Sequence, residues 1–475
     1  MAIGSVNEIN LYKMKEEKRM KKRVLATVLA LAMSLAALTA CGAEKKEGAQ
    51  TSEASKTDEA SEGETNITFM GWGSPAEVEV FQTMIKQYEE AYPSVKVEYI
   101  NVPDSEYDTK LQTMIAAGQQ PDVFYLRPEN VGKFADTENV YDMSEYVANN
   151  EIFNEENIWE KALNMYRYDG VMPGEGAIYG LPKDIGPFAL AYNKTLFEAA
   201  NIELPDNDEA WRWSEFVENA KKLTQGEGPD KVYGSAQYSL ESAVWSNGAD
   251  WLDASKTKVT VDDEKFVEAV QWMADLALVH GVMPNAEEEA ALSSYQRWLE
   301  GKIGMMGIGP WSQGQFWSEC DFEWDLMPWP VSDSTGEHAI WYGGIGFGVN
   351  PASKDIEAAC NLAAFFAFDE AAQRTNFEMG QAIPNLKDMT FDEYMKMDNA
   401  PENKQEFIDI LEDEHYGRRA TQTYTYDSEW FGEFNSGVSA VWSGEMTAQE
   451  YSDDVKEVMQ NLLDSGIEKQ EAARK

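Results

Sequence analysis

From Asn66 onward the chain switches repeatedly between two hydrophobic periods. Ile67-Thr68-Phe69-Met70 is a short apolar run closed by Gly71-Trp72-Gly73, which predicts a strand and a turn. Ser74-Pro75-Ala76-Glu77 then opens a helix, with Ser and Glu in capping-box spacing and proline at the first helical position. Phe81, Met84, Ile85, Tyr88 and Tyr92 recur at helical spacing and predict its buried face, and Pro93 ends it. Val95, Val97 and Tyr99 alternate as a second strand. A second helix runs from about Asp104 through Leu111, Met114 and Ile115 to Gly118, and Pro121-Asp122-Val123-Phe124-Tyr125-Leu126 is a third strand. The order βαβαβ implies a parallel sheet with helices on its faces. Ligands of such sheets sit beyond the carboxyl ends of the strands, where Trp72 and Arg127 stand.

The pattern continues to the end of the chain. Val259 and Val261 predict a short strand, followed by a helix carrying Phe266, Val270, Met273 and Leu276. Tyr295, Trp298 and Leu299 mark a short helix ending at Gly301. Residues 430–442 and 447–463 predict two late helices, the second with Thr447 and Glu450 as a capping box. There is no internal repeat and no heptad run.

The first forty residues read differently. Lys21-Lys22-Arg23, a mostly apolar run over 24–40 and Cys41-Gly42 have the order of a secretory signal, with Met20 as its natural start. Leu38-Thr39-Ala40-Cys41 resembles a lipobox, so residues 1–40 are expected to be removed and Cys41 to carry a lipid. The alternative is an uncleaved anchor, for which the apolar run is slightly short. Two acyl chains suffice for stable anchoring and place the protein on the outer face of the bacterial cytoplasmic membrane. Residues 43–64 contain no large apolar side chain, so 41–65 is expected to be a lipidated, disordered tether.

A chain of 475 residues with 15 tryptophans, all beyond Cys41, has the length for two or three domains and the apolar mass for a large core. Its charge of −45 opposes nucleic acid, anionic lipid and anionic substrates, and leaves neutral or cationic ligands. Cys320 and Cys360 could pair outside the cell, but two residues form no disulfide framework, and they read as buried thiols. His280, His338 and His415 are far apart, with no HExxH or Cys/His metal spacing. There is no G-x-S-x-G elbow, and Gly344-Ile345-Gly346-Phe347-Gly348 lacks the last glycine of a dinucleotide fingerprint. The expectation is a protein that is not an enzyme, with no cofactor and no metal; a glycosidase is the enzyme alternative.

Several motifs recur in a familiar order. The GWGS turn, Tyr88-Glu89-Glu90-Ala91-Tyr92-Pro93 and the run from Leu111 to Leu126 are followed by Tyr179-Gly180-Leu181-Pro182-Lys183-Asp184 and Ala191-Tyr192-Asn193-Lys194. Trp213-Ser214-Glu215-Phe216, Gly301-Lys302-Ile303-Gly304-Met305-Met306 with Gly309-Pro310-Trp311, and Gly343-Gly344-Ile345-Gly346-Phe347-Gly348 complete the series. Together they resemble the extracellular solute-binding proteins of ABC importers, in the carbohydrate-binding branch related to maltose-binding protein. The resemblance covers roughly 66–467. It implies an α/β, two-lobe periplasmic-binding-protein-like fold, each lobe a mainly parallel sheet flanked by helices, with a hinge between lobes. Residues 66–187 plus 343–415 would form lobe 1, 188–342 plus 416–468 lobe 2, and 469–475 a tail. It implies a monomer that captures an oligosaccharide by lobe closure and delivers it to permease subunits driven by an ATPase. The same fold could instead present its ligand to a membrane kinase, or carry a cationic solute such as a polyamine.

A sugar ring offers weakly apolar C–H faces and polar hydroxyls, so a flat indole and a few placed polar groups suit it. Tryptophans in glycine-rich loops, off the helical stripes, are therefore the candidates. These are Trp72, Trp311 and the Trp341-Tyr342 pair, with Trp245 near Asn247-Gly248 and Asp184 at the first crossing between lobes. Arg127, Lys183 and Trp430 are weaker candidates. Trp213, Trp272 and Trp298 lie on predicted helices and are assigned to the core.

Overall fold

The computed structural model describes residues 65–474 except 208. The leader, Cys41 and the tether read from the sequence lie outside the described residues. Among the described residues no helix is long and apolar enough to cross a membrane.

The first sheet has the strand order Val95–Asn101, Thr65–Gly71, Val123–Leu126, Gly346–Val349, Leu181–Pro182. Thr65 pairs with Val95 and Gly71 with Asn101 in parallel register, and Phe69 pairs with Val123. Asp122 fixes this register by accepting from the Thr68 amide at 2.8 Å and its hydroxyl at 2.7 Å. The helix Pro75–Ala91 begins as its sequence requires, with the Ser74 side chain accepting from the Glu77 amide. Phe81, Met84, Ile85 and Tyr88 are buried, whereas Tyr92 is the C-cap and 45% exposed. The helical angle no longer applies past Ala91, so Tyr92 leaves the buried stripe. The helix Ile356–Phe368 is apolar almost all round, and it packs against the first sheet and against Pro75–Ala91.

The second sheet has the order Trp324–Met327, Ala189–Asn193, Ile303–Ile308, Tyr233–Ala236. Gly234 lies so close to the helix Trp213–Leu223 that a Cβ would fall 2.0 Å from the Ala220 carbonyl oxygen. Both sheets are mixed. Gly346–Val349 runs antiparallel to its two neighbours, and so does Ala189–Asn193. These are the strands on which the chain enters or leaves a lobe, so their direction follows the crossing and not a βαβ unit.

Between the two sheets lies a third, with the order Gly417–Arg419, Ile340–Gly343, Gly186–Pro187. The chain passes from Leu181–Pro182 through Gly186–Pro187 to Ala189–Asn193. It returns from Trp324–Met327 through Ile340–Gly343 to Gly346–Val349. Both crossings are therefore strands of one small sheet. The helix Gln405–Glu412 packs on that sheet and on Ala189–Asn193, and the Asn403 amide donates to Asp325 at 2.8 Å.

The helix Ala448–Ala473 carries the expected Thr447–Glu450 capping box and extends through most of the segment read as a tail. Its far end is held by Lys469, which pairs with buried Asp427 at 2.9 Å, and Asp427 also pairs with Lys133 at 3.2 Å. Val259 and Val261 form no strand; both are fully buried, and only a single bridge joins Val259 to Leu252. Cys320 and Cys360 are free thiols, the first half-buried and the second buried, and burial pushes both up to about 12.

Candidate functional site

Strand ends from both lobes and the crossing sheet meet around a cleft of about 620 Å³. Trp72 follows Thr65–Gly71, Arg127 follows Val123–Leu126 and Trp311 follows Ile303–Ile308, each beyond a carboxyl end. Trp341 enters from the crossing strand Ile340–Gly343, and Lys183 and Asp184 from the segment just before the crossing strand Gly186–Pro187.

Trp311 is 43% exposed. Its ring rests against glycine backbone: a Cβ on Gly309 would fall 2.1 Å from it, and one on Gly186 2.6 Å. Only glycine at both places lets the indole lie this close. Trp341 stands 6.4 Å from Trp311 at an interplanar angle of 24°. Behind it, Phe188 stacks on Trp341 at 4.6 Å and 14°, and Trp329 lies 5.9 Å beyond Phe188. Trp329 is fully buried, its Nε1 donating to the Phe188 carbonyl at 2.8 Å. A column of near-parallel rings thus runs from the core to the open cleft.

Charged side chains line the cleft as well. Lys183 Nζ lies 2.5 Å from Asp184 and 3.0 Å from Glu77. Burial alone would lower the Lys183 ammonium, but the two carboxylates outweigh it and hold the group charged, above the usual lysine value. The other Asp184 oxygen accepts from the Ile345 amide at 3.1 Å, and the Lys183 amide donates to the Ile345 carbonyl at 2.7 Å. The two crossings are thereby tied together at the cleft floor. The Trp72 indole meets Tyr107 and Tyr125 edge-on, with centroids 4.6 and 4.8 Å away. The Arg127 guanidinium lies 4.3 Å from its centroid and is itself held by Asp104 and, at 3.1 Å, by Asp108. Glu129 follows on the next turn. Burial raises its carboxyl above the ordinary value, and Arg127 and Lys133 only partly offset this.

Of the residues singled out in the sequence, Trp72, Asp184, Trp311 and Trp341 line this cleft, as do Arg127 and Lys183. The structure does not bring Trp245 and Tyr342 to it. Trp245 lies on the helix Leu240–Ser246, 1% exposed, with Nε1 donating to Asp250 at 3.3 Å. Tyr342 neighbours Trp341 on one strand, so its side chain takes the opposite face, where Lys161 sits 5.1 Å from its ring. Trp430 is fully buried, with Nε1 donating to Thr425 at 2.7 Å. Trp213 and Trp298 are core residues, and Trp272 stacks on Trp213 at 4.1 Å.

Sequence reasoning passed over Glu77, Glu129, Tyr295, Gln315 and Gln422, which also line the cleft. Tyr295 was masked by its place in the apolar stripe with Trp298 and Leu299. Its hydroxyl donates to Gln315 at 3.0 Å. The carboxylates carried no local signal among 84 acidic residues.

Two sheets, a crossing sheet and a cleft between them define a two-lobe binding protein. Residues 72–373, more than half of the chain, match the bacterial extracellular solute-binding protein family, and the chain belongs to that family. Its members are binding proteins and not enzymes. The chain is 25% identical over 225 residues to an arabinooligosaccharide-binding protein of Halalkalibacterium halodurans, a match covering 45% of this chain and 47% of that one. It is 24% identical to a maltotriose-binding protein of Pyrococcus abyssi, covering 68% and 67%. The chain thus spans about half the length of the first of these relatives and two thirds of the second. Among solved structures, an ABC substrate-binding protein of Listeria monocytogenes in complex with cycloalternan superposes with a TM-score of 0.74 at 23% identity, over 84% of this chain and 98% of that one. The maltose-bound binding protein of T. maritima gives 0.69 at 24%, over 84% and 100%. These likenesses establish the two-lobe α/β fold.

Proposed function

We propose that this protein is anchored through Cys41, captures an oligosaccharide between its lobes and hands it to an ABC permease. The observation that carries the reading is the ring column ending at Trp341 and Trp311. An exposed indole backed by glycine backbone presents a flat face into a cleft, which suits the C–H face of a sugar. Polar side chains that line the same cleft, among them Glu129, Gln315 and Gln422, supply hydrogen-bond partners for hydroxyls. In this reading Trp72, Asp184, Trp311 and Trp341 contact or position the ligand; Trp245 and Tyr342 are left out because they face the interior. The names of the relatives point to oligosaccharides of several sugars. Family membership supports a permease and its ATPase as the partners.

A thermal-unfolding screen against mono- and oligosaccharides tests the reading. A ligand at about 100 times its dissociation constant stabilises by about 2.7 kcal/mol, which displaces the melting point by several degrees. A panel in which no sugar moves the melting point removes the carbohydrate assignment. Lipidation is tested separately: Cys41→Ser is expected to release the protein from the membrane fraction and abolish acyl-chain labelling.

A further inference from the structure

The charges of the cleft do not balance, and the imbalance is local. Six charged side chains line it: Glu77, Asp104, Arg127, Glu129, Lys183 and Asp184. Lys183 is bracketed by Glu77 and Asp184. Arg127 is shared between Asp104 and Asp108. Both cations are therefore committed to carboxylate pairs, and among the described residues no cation lies within ion-pair distance of Glu129. Three carboxylates, Asp104, Asp108 and Glu129, surround the single guanidinium at the Trp72 edge.

We infer that the cleft selects its sugar by charge, taking an amine-bearing saccharide in preference to a neutral one and rejecting a uronate, with Glu129 as the residue that decides. The inference rests on the saccharide reading above and adds a substrate class to it. An ammonium on the sugar would supply a counter-charge that Glu129 lacks among the protein's own ion pairs, in a half-buried place where an ion pair is less screened than in open water. A charge-assisted hydrogen bond is roughly twice as strong as a neutral one. The same place meets a uronate carboxylate with like charge and no free cation. Burial raises Glu129's proton affinity, and its own backbone amide, Arg127 and Lys133 offset this only in part. Trp72 already carries a guanidinium at 4.3 Å, so a cationic group is compatible with that ring.

The test uses the full chain and glucose trimers of α-1,4 and β-1,4 linkage, each also as its 6-amino-6-deoxy and its 6-carboxylate form. Calorimetric affinities are measured at pH 7 for the wild type and for Glu129→Gln. The expected result is an amino trimer bound about tenfold tighter than the neutral one and a carboxylate trimer bound at least tenfold weaker. In Glu129→Gln the amine-to-neutral ratio is expected to fall to about one. A wild type that binds the neutral trimer as tightly as the amino trimer overturns charge selection and leaves saccharide binding standing. A ratio unchanged in Glu129→Gln removes Glu129 from the role. If no trimer binds and the sugar screen is also blank, the saccharide reading fails and takes this inference with it.

Discussion

The indoles of Trp311 and Trp341 stand 6.4 Å apart and 24° from parallel, one carried by the second lobe and the other by the crossing sheet. The two rings differ in what lies behind them. Trp311 rests on glycine backbone and is 43% exposed, whereas Trp341 is stacked on Phe188. Trp311→Ala is therefore expected to weaken saccharide binding tenfold or more while changing unfolding free energy by no more than about 0.5 kcal/mol. Trp341→Ala removes a packed ring as well and is expected to cost about 1–3 kcal/mol of stability in addition. Calorimetry and urea unfolding on both variants separate the two effects.

Gly309→Ala tests the same surface from beneath. Its new methyl would fall 2.1 Å from the Trp311 ring, and an exposed ring can swing away at little cost to the core. Affinity is expected to drop about as far as in Trp311→Ala, with a changed near-ultraviolet dichroism and an unchanged melting point. Unaltered affinity would mean that the indole's position is immaterial.

Lys183 holds two carboxylates that have little access to water; Lys183 is 5% exposed and Asp184 6%. Removing the ammonium leaves Glu77 and Asp184 facing each other unpaired. Lys183→Ala is expected to destabilise by about 3 kcal/mol, and adding Glu77→Gln to it should return part of that loss. A lysine deletion that costs nothing in urea unfolding would show that the cleft floor is wet.

Glu406 sits on the helix behind the crossing sheet, fully surrounded, with the Tyr416 hydroxyl donating to it. Burial pushes its carboxyl up to about 8 against an ordinary 4.5. The folded state therefore holds a proton on Glu406 that the unfolded chain has released, across the window from about 4.5 to 8. Stability from this group falls as pH rises through that window, by about 1.4 kcal/mol for each unit. Glu406→Gln, which mimics the protonated acid, is expected to flatten the difference in unfolding free energy between pH 5 and pH 8. Parallel slopes in the two proteins would contradict it.

The fold was legible where local chemistry is self-sufficient. Ser74, Pro75 and Glu77 announce one helix start and Thr447 with Glu450 another, and both hold in three dimensions. Val259 and Val261 alternate like a strand yet have no ladder, because alternation reports burial on one face and not a partner. Trp245 read as a loop residue from the nearby Asn247-Gly248, but the helix Leu240–Ser246 includes it and turns it inward. Of the Trp341-Tyr342 pair only Trp341 faces the cleft, since adjacent residues of a strand point to opposite faces. What stayed hidden was pairing at long range. Glu77 and Lys183 are far apart in the chain and pair only in the folded lobe, and Trp311 meets Gly186 only after the chain has crossed between lobes.

The small sheet through which both crossings pass has a mechanical consequence. Passages of chain hydrogen-bonded side by side constrain one another, so a swing of one lobe against the other would have to bend these strands together. Trp341 is a strand residue of that sheet and the Trp311 ring rests against Gly186 of the same sheet, so tryptophan emission would report the packing of the two indoles on it without attaching any dye.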